Sequence, residues 1–207
     1  MTGEPVTGGP VTGGPATGGP VTGGPATTDA LQAHLVAHSV RTGDFVLKSG
    51  RRSTWFIDSK QTICRPGGIL LVADALLAVV PDEATAIGGM TMGADPVAFV
   101  TAGVAATRGR DLKAFSVRKE AKDHGGGGRI AGALDPGDKV VITEDTVSRG
   151  TTLLESAEVV RRAGAEVVLA VAVVDRGGTA TALLADHGIP FRALIGAPDL
   201  GFHFDEG

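Results

Sequence analysis

The chain has 207 residues, 43% of them hydrophobic and 20% charged, with a formal net charge of −4. That length and mix suit one ordinary domain with room for a core, and the acidic balance argues against a nucleic-acid-binding surface as the main business. No stretch reaches the roughly 18–20 apolar residues that a bilayer-spanning helix needs, and the one cysteine, Cys64, has no internal disulfide partner, which suits a reducing cytoplasm.

Residues 1–27 are a different material. They cycle through Gly-Gly-Pro-Val-Thr and Gly-Gly-Pro-Ala-Thr with a five-residue period. Proline removes donors, glycine raises the ordering cost and little is available to bury, so a disordered tail is expected, with the folded domain at 28–207. The tail lacks the basic and apolar regions of a secretory signal. Its glycine period rules out collagen, which needs a glycine at every third residue.

Thr27 or Thr28 can cap a helix over Asp29–Val40, with Leu31 and Leu35 on one face. Two extended segments follow, Phe45–Lys48 and Thr54–Asp58, joined through Ser49-Gly50-Arg51-Arg52 as a hairpin. Cys64 reads as a packing residue. Pro66 opens an apolar helix that ends before Pro81. His34 and His38 share a helix face without the glutamate of a zinc-protease motif, and read as surface histidines.

Beyond this point short strands alternate with helices. Strands are predicted at Ala84–Gly88, Lys113–Val117, Lys139–Glu144, Glu166–Val174 and Phe191–Ile195, and helices at Pro96–Arg108, Thr151–Ala163 and Thr179–Asp186. The strands at 139–144 and 166–174 are almost continuously apolar, as expected when both faces of a sheet are covered. The pattern implies an α/β fold with a mostly parallel sheet flanked by helices, and ligands beyond the carboxyl ends of the strands.

Three constellations fall near such ends. Arg118, Lys119, Lys122 and His124 gather cationic donors just before four consecutive glycines, which reads as a mobile positive lid. The strand ending at Glu144 delivers two adjacent carboxylates, Glu144 and Asp145. A turn of Thr146, Val147, Ser148, Arg149 and Gly150 then opens a helix at Thr151 and Thr152. Free backbone N–H groups at a helix N-terminus suit a phosphate. Carboxylates one step earlier suit sugar hydroxyls. Together they match a ribose 5-phosphate. Asp175-Arg176 closes the next strand, and an arginine can grip a carboxylate through two parallel hydrogen bonds. No P-loop motif occurs. Gly126-x-Gly128-x-x-Ala131 fits a dinucleotide fingerprint formally, but follows a charged segment rather than a strand.

The run from Glu144 to Thr152 resembles the phosphoribosyl-pyrophosphate (PRPP) loop of the type I phosphoribosyltransferases. Arg-Lys-Glu-Ala-Lys-Asp-His-Gly, from Arg118, is similar to the catalytic loop of the orotate phosphoribosyltransferases, and Lys48-Ser49-Gly50-Arg51-Arg52-Ser53 to their Lys-Ser-Gly-Arg-x-Ser segment. The resemblance implies the type I phosphoribosyltransferase fold with a small N-terminal helix and hairpin hood. It implies transfer of ribose 5-phosphate from PRPP to orotate, with Mg²⁺ held mainly through PRPP rather than by protein ligands. By the same resemblance Lys48 meets PRPP, and Arg118, Lys119, Lys122 and His124 meet its diphosphate, with Lys122 the main charge stabiliser. Phe56 and Ile57 lie against the orotate ring, Arg176 recognises orotate and Ser148 contacts it. Met92 and Gly93 stand where some members place tyrosine and lysine, and no side-chain role is assigned to them. A homodimer is implied, its 118–128 loop reaching the neighbouring subunit. Two rivals are a phosphoribosyltransferase for another base and a non-catalytic PRPP-sensing regulator. The first would lack the lid and hairpin motifs, and the second would call for a basic face or an added DNA-binding domain.

Overall fold

The computed structural model describes residues 25–46, 50, 52–121 and 128–204. Residues 1–24 of the expected tail, together with Lys48, Lys122 and His124, lie outside the described residues. The helix α1 (Pro25–His38) begins before the expected cap, so the last residues of the predicted tail are helical and Thr27 is buried. Leu31 and Leu35 on α1 are fully buried.

A hairpin of β1 (Val40–Val46) and β2 (Arg52–Ile57) follows, paired antiparallel. β1 starts well before the expected Phe45. Its side chains are mostly exposed, so no apolar alternation announces it, and pairing with β2 is what holds it extended. The next elements are α2 (Lys60–Ile63), α3 (Pro66–Leu77), β3 (Ala86–Met90), α4 (Ala94–Thr107), β4 (Lys113–Val117) and β5 (Ile130–Gly132). Then come β6 (Lys139–Val147), α5 (Thr151–Arg162), β7 (Glu166–Asp175), α6 (Ala180–Asp186), β8 (Phe191–Gly196) and a 3₁₀ turn, Ala197–Leu200. α2, β5 and the 3₁₀ turn escaped the sequence reading, because three or four residues are too few to display a period. Cys64 is a correction: it ends α2 exposed rather than packed.

The main sheet has six strands in the order β5-β4-β3-β6-β7-β8, parallel except for the β4–β5 pair. Both faces are covered, and strand parity sorts the core in two. Val141, Leu169, Val171 and Val173 pack toward α1, α3, α4 and the hairpin. Val140, Ile142, Ala170 and Ala172 pack toward α5 and α6. Fully burying an aliphatic side chain contributes about 1.5–3 kcal/mol, which is why an unbroken apolar run is stable only with helices on both sides. The α1–hairpin unit forms the hood, with Trp55 and Ile57 joining the first of these cores.

After β3 the chain steps one way to β4, and β6 lies on the other side of β3. Loops leaving neighbouring strands at such a switch point diverge and open a crevice. The loops after β3 and β6 flank this one.

Candidate functional site

The acid pair sits inside β6 rather than in the turn beyond it, because β7 continues to pair with β6 through Thr146↔Val174 and Val147↔Asp175. Both carboxyl groups are therefore buried, Glu144 at 8% exposed and Asp145 at 5%. Two adjacent buried acids repel, and each must find donors. Asp145 finds several. Its Oδ2 accepts from Ser59 Oγ at 3.0 Å and forms an ion pair with Lys60, and its Oδ1 accepts from the Thr146 backbone N–H at 2.8 Å. Glu144 fares worse: its Oε2 has no hydrogen-bond partner among the described residues. Burial first, then the charge of Asp145, push the Glu144 carboxyl up to about 8, with Lys60 and Lys119 pulling the other way. For Lys60 burial acts to lower the ammonium, but the hydrogen bond and charge of Asp145 outweigh it and hold the group above its ordinary value.

The β3–α4 loop approaches the pair through Gly93. A Cβ at this position would stand 2.3 Å from Glu144 Oε1 and 2.7 Å from Asp145 Oδ1. Only glycine allows the loop this close. Met92, beside it, is exposed.

Past the pair, Val147 is buried in the core, so it can offer a ligand only its backbone, whereas Ser148 and Arg149 are exposed. Gly150 adopts φ +86°, a left-handed conformation that turns the chain into α5, and no side chain caps that helix. Thr151 is exposed and Thr152 half-buried in its first turn. The arrangement leaves amide donors and hydroxyls facing outward at the positive end of the helix dipole, next to two carboxylates.

Arg176 follows β7 with its backbone N–H donated to Val147 O at 2.8 Å. Its buried guanidinium lies 5.1 Å from the Trp55 ring centroid and 6.0 Å from that of Phe56, and donates to Ser53 Oγ and Trp55 O, each at 3.4 Å. Phe202 stacks on Trp55, with centroids 4.5 Å apart and planes 4° from parallel. Phe56 is exposed, whereas Ile57 is buried. Successive strand residues point to opposite faces, and Ile57 turns inward with Trp55 and Ser53, so it does not share the face of Phe56.

Arg118 leaves β4 half-buried, its backbone N–H donating to the Arg129 carbonyl and its carbonyl accepting from Arg129 Nε, while Lys119 is exposed and its charge reaches Glu144. The sequence-predicted residues Glu144 to Thr152, Arg118, Lys119, Phe56 and Arg176 thus cluster around the carboxyl ends of β3, β4, β6 and β7. Ser59, Lys60, Trp55 and Phe202 escaped the sequence reading. Lys60 meets Asp145 at a sequence separation of 85, and no local spacing could announce that.

No protein-family profile matches the chain. An orotate phosphoribosyltransferase of Synechocystis is 37% identical over 169 residues, covering 81% of this chain and 85% of its own length. The crystal structure of a phosphoribosyltransferase from Corynebacterium diphtheriae superposes with a TM-score of 0.75 at 32% identity, covering 86% of this chain and 99% of that one. An orotate phosphoribosyltransferase of Mycobacterium tuberculosis, solved in complex with PRPP, superposes with a TM-score of 0.71 at 28% identity, over 85% of this chain and 99% of that one.

The raised Glu144 carboxyl makes a stability prediction. Folding favours its protonated form, so the contribution is complete below the ordinary value of 4.5 and is lost as pH climbs through about 8. The melting temperature of the ligand-free protein should therefore fall between pH 5 and pH 8, and Glu144→Gln should flatten that fall. Thermal melts of both proteins across this range check it, and identical slopes would contradict the assignment.

Proposed function

Since the chain belongs to the orotate phosphoribosyltransferases, which transfer ribose 5-phosphate from PRPP to orotate in pyrimidine biosynthesis, we propose that the transfer runs in the crevice between Glu144–Thr152 and Arg176. One observation carries this placement: a buried acid pair followed directly by an uncapped helix N-terminus. A ribose 5-phosphate needs acceptors for its hydroxyls and donors for its phosphate. β6 and α5 supply them in that order.

Diphosphate leaves the anomeric carbon of PRPP through a transition state with oxocarbenium character, and a ring nitrogen of orotate attacks, giving orotidine 5′-monophosphate. Glu144 and Asp145 orient the ribose hydroxyls and favour positive charge on the sugar. Amides and hydroxyls from Thr146 to Thr152 hold the 5′-phosphate. Arg118 and Lys119, at the root of the 118–128 lid, stand where they can meet the departing diphosphate. The lid keeps out water that would hydrolyse the activated sugar. Lys48, Lys122 and His124, outside the described residues, complete the set of cations the resemblance assigns to PRPP. Arg176 pairs with the orotate carboxylate, with exposed Phe56 as an apolar wall beside it.

Mg²⁺ belongs to this proposal. The donor set fits in kind, because Glu144 and Asp145 are hard oxygen donors, yet Ser59, Lys60 and the Thr146 amide already engage Asp145. The ion would therefore be held through diphosphate and ribose oxygens, where it neutralises the leaving group.

A homodimer fits the exposed apolar side chains Leu70 and Phe99, on the mutually packed α3 and α4. No helix among the described residues is long and apolar enough to cross a membrane, and a cytoplasmic setting suits the one cysteine.

The direct test is loss of orotate absorbance that requires both PRPP and Mg²⁺, with adenine, hypoxanthine and uracil as inactive controls. Turnover of a control base in place of orotate would overturn the reading. Hydrogen bonds to a charged group are worth about 1.5–3 kcal/mol, so Arg176→Ala should lower kcat/KM for orotate by roughly ten- to a hundredfold. PRPP binding, measured by calorimetry, should barely move; equal losses for both substrates would contradict the assigned role. If the lid acts across a dimer, mixing inactive Lys122→Ala and Asp145→Ala chains should restore part of the activity. Hybrids that stay inactive despite confirmed subunit exchange would remove the in-trans claim.

A further inference from the structure

The carboxylate that ends the sugar site is met from the hood side by a short helix to which the chemistry above gives no task. Ser59 is 2% exposed, and its carbonyl accepts from the backbone N–H groups of Thr62 and Ile63 at 3.0 and 2.9 Å. Thr62 and Ile63 are themselves buried, which seats α2 firmly on the core. Two donors issue from this rigid corner onto one oxygen, Asp145 Oδ2: the Ser59 hydroxyl at 3.0 Å and the Lys60 ammonium. The Thr146 hydroxyl donates in turn to Ser59 Oγ at 3.0 Å, so a chain of hydrogen bonds links the PRPP loop, α2 and the acid pair.

We propose that Lys60 is a positioning residue for the sugar: with Ser59 it holds Asp145, and the charge of the acid pair, as the hydroxyls of PRPP require. The proposal rests on the transfer running at this pair. Its physical basis is that two neighbouring buried carboxylates cannot both stay charged without a counter-ion, and a carboxyl that takes up a proton accepts more weakly from a sugar hydroxyl and loses the charge that favours a cationic sugar. Among the described residues Lys60 is the cation in direct ion pair with Asp145. Asp58, on the same corner, reinforces its charge, while Lys119 acts on Glu144 from the end of β4. The side chain of Lys60 is 46% exposed while that of Asp145 is 8% exposed, so the ammonium ties a buried acid to a cation that solvent can reach.

The test uses the full chain carrying Lys60→Met or Lys60→Arg, with initial rates over both substrates, calorimetric titration with PRPP and thermal melts. Lys60→Met is expected to lower kcat/KM for PRPP by about tenfold or more while the KM for orotate stays within about twofold. Lys60→Arg is expected to recover most of the loss. In an Asp145→Asn background the methionine substitution should add little further, because its target is gone. A Lys60→Met enzyme indistinguishable from the parent toward PRPP would overturn the proposal. So would a uniform loss toward both substrates, with a lowered melting temperature that arginine does not restore. A parent protein that fails to turn over orotate would instead sink the reading of the site itself.

Discussion

Two carboxylates side by side at the end of a buried parallel strand are the constraint to which the rest of the site answers. Asp145 has the parity of Val141 and Thr143, whose face is covered by α1, α3, α4 and the hairpin, and it is from this side that Ser59 and Lys60 come. The β3–α4 loop can close over the pair only because residue 93 has no side chain. The turn into α5 needs Gly150 in a left-handed conformation, which brings an uncapped helix end next to the acids. Acceptors and donors for one ligand are thereby fixed within a few residues.

The sheet register does the same for the two substrates. β6 and β7 pair through Val147↔Asp175, and the N–H of Arg176 is bonded to the carbonyl of Val147. The guanidinium proposed to read orotate and the loop proposed to hold the sugar therefore hang from one hydrogen-bonded rung. Trp55, stacked on Phe202, sits under the Arg176 guanidinium, and Ser53 receives a hydrogen bond from it. This cradle spans three remote parts of the chain: the hairpin, the end of β7 and the C-terminal segment. Preorganisation of this kind shortens the path to a near-attack geometry.

What could be read from the sequence was what is local. Apolar β-branched runs at 139–144 and 166–174 announced buried parallel strands, and the Glu144–Thr152 motif announced sugar and phosphate chemistry within one short segment. The strand end was misplaced because Thr146 and Val147 look like turn residues until β7 supplies partners for them. Phe56 and Ile57 were read as one pair, and the alternation of β2 sets them on opposite faces. Lys60 and Trp55 were invisible for another reason. Their importance lies in partners far along the chain, Asp145 for one and Arg176 and Phe202 for the other, and tertiary proximity leaves no trace in local spacing.

The polar atoms that the fold leaves without partners point to the same place. Among the described residues, the buried side-chain atoms lacking a hydrogen bond are Thr143 Oγ1 and Glu144 Oε2, adjacent residues of β6. A buried polar group without a partner costs about 1–3 kcal/mol, and native structures tolerate few of them. Elsewhere the chain satisfies even awkward groups: Asp138 accepts from Thr85 and from the Asp135 backbone, and Asp175 from the backbone of Gly177 and Gly178. The strain is thus confined to the strand end that faces the crevice. A polyhydroxylated ligand offers donors of the kind that Glu144 lacks, so part of its binding energy can come from relieving a deficit the folded protein already carries. A site with every acceptor satisfied in advance would have less to gain from the sugar.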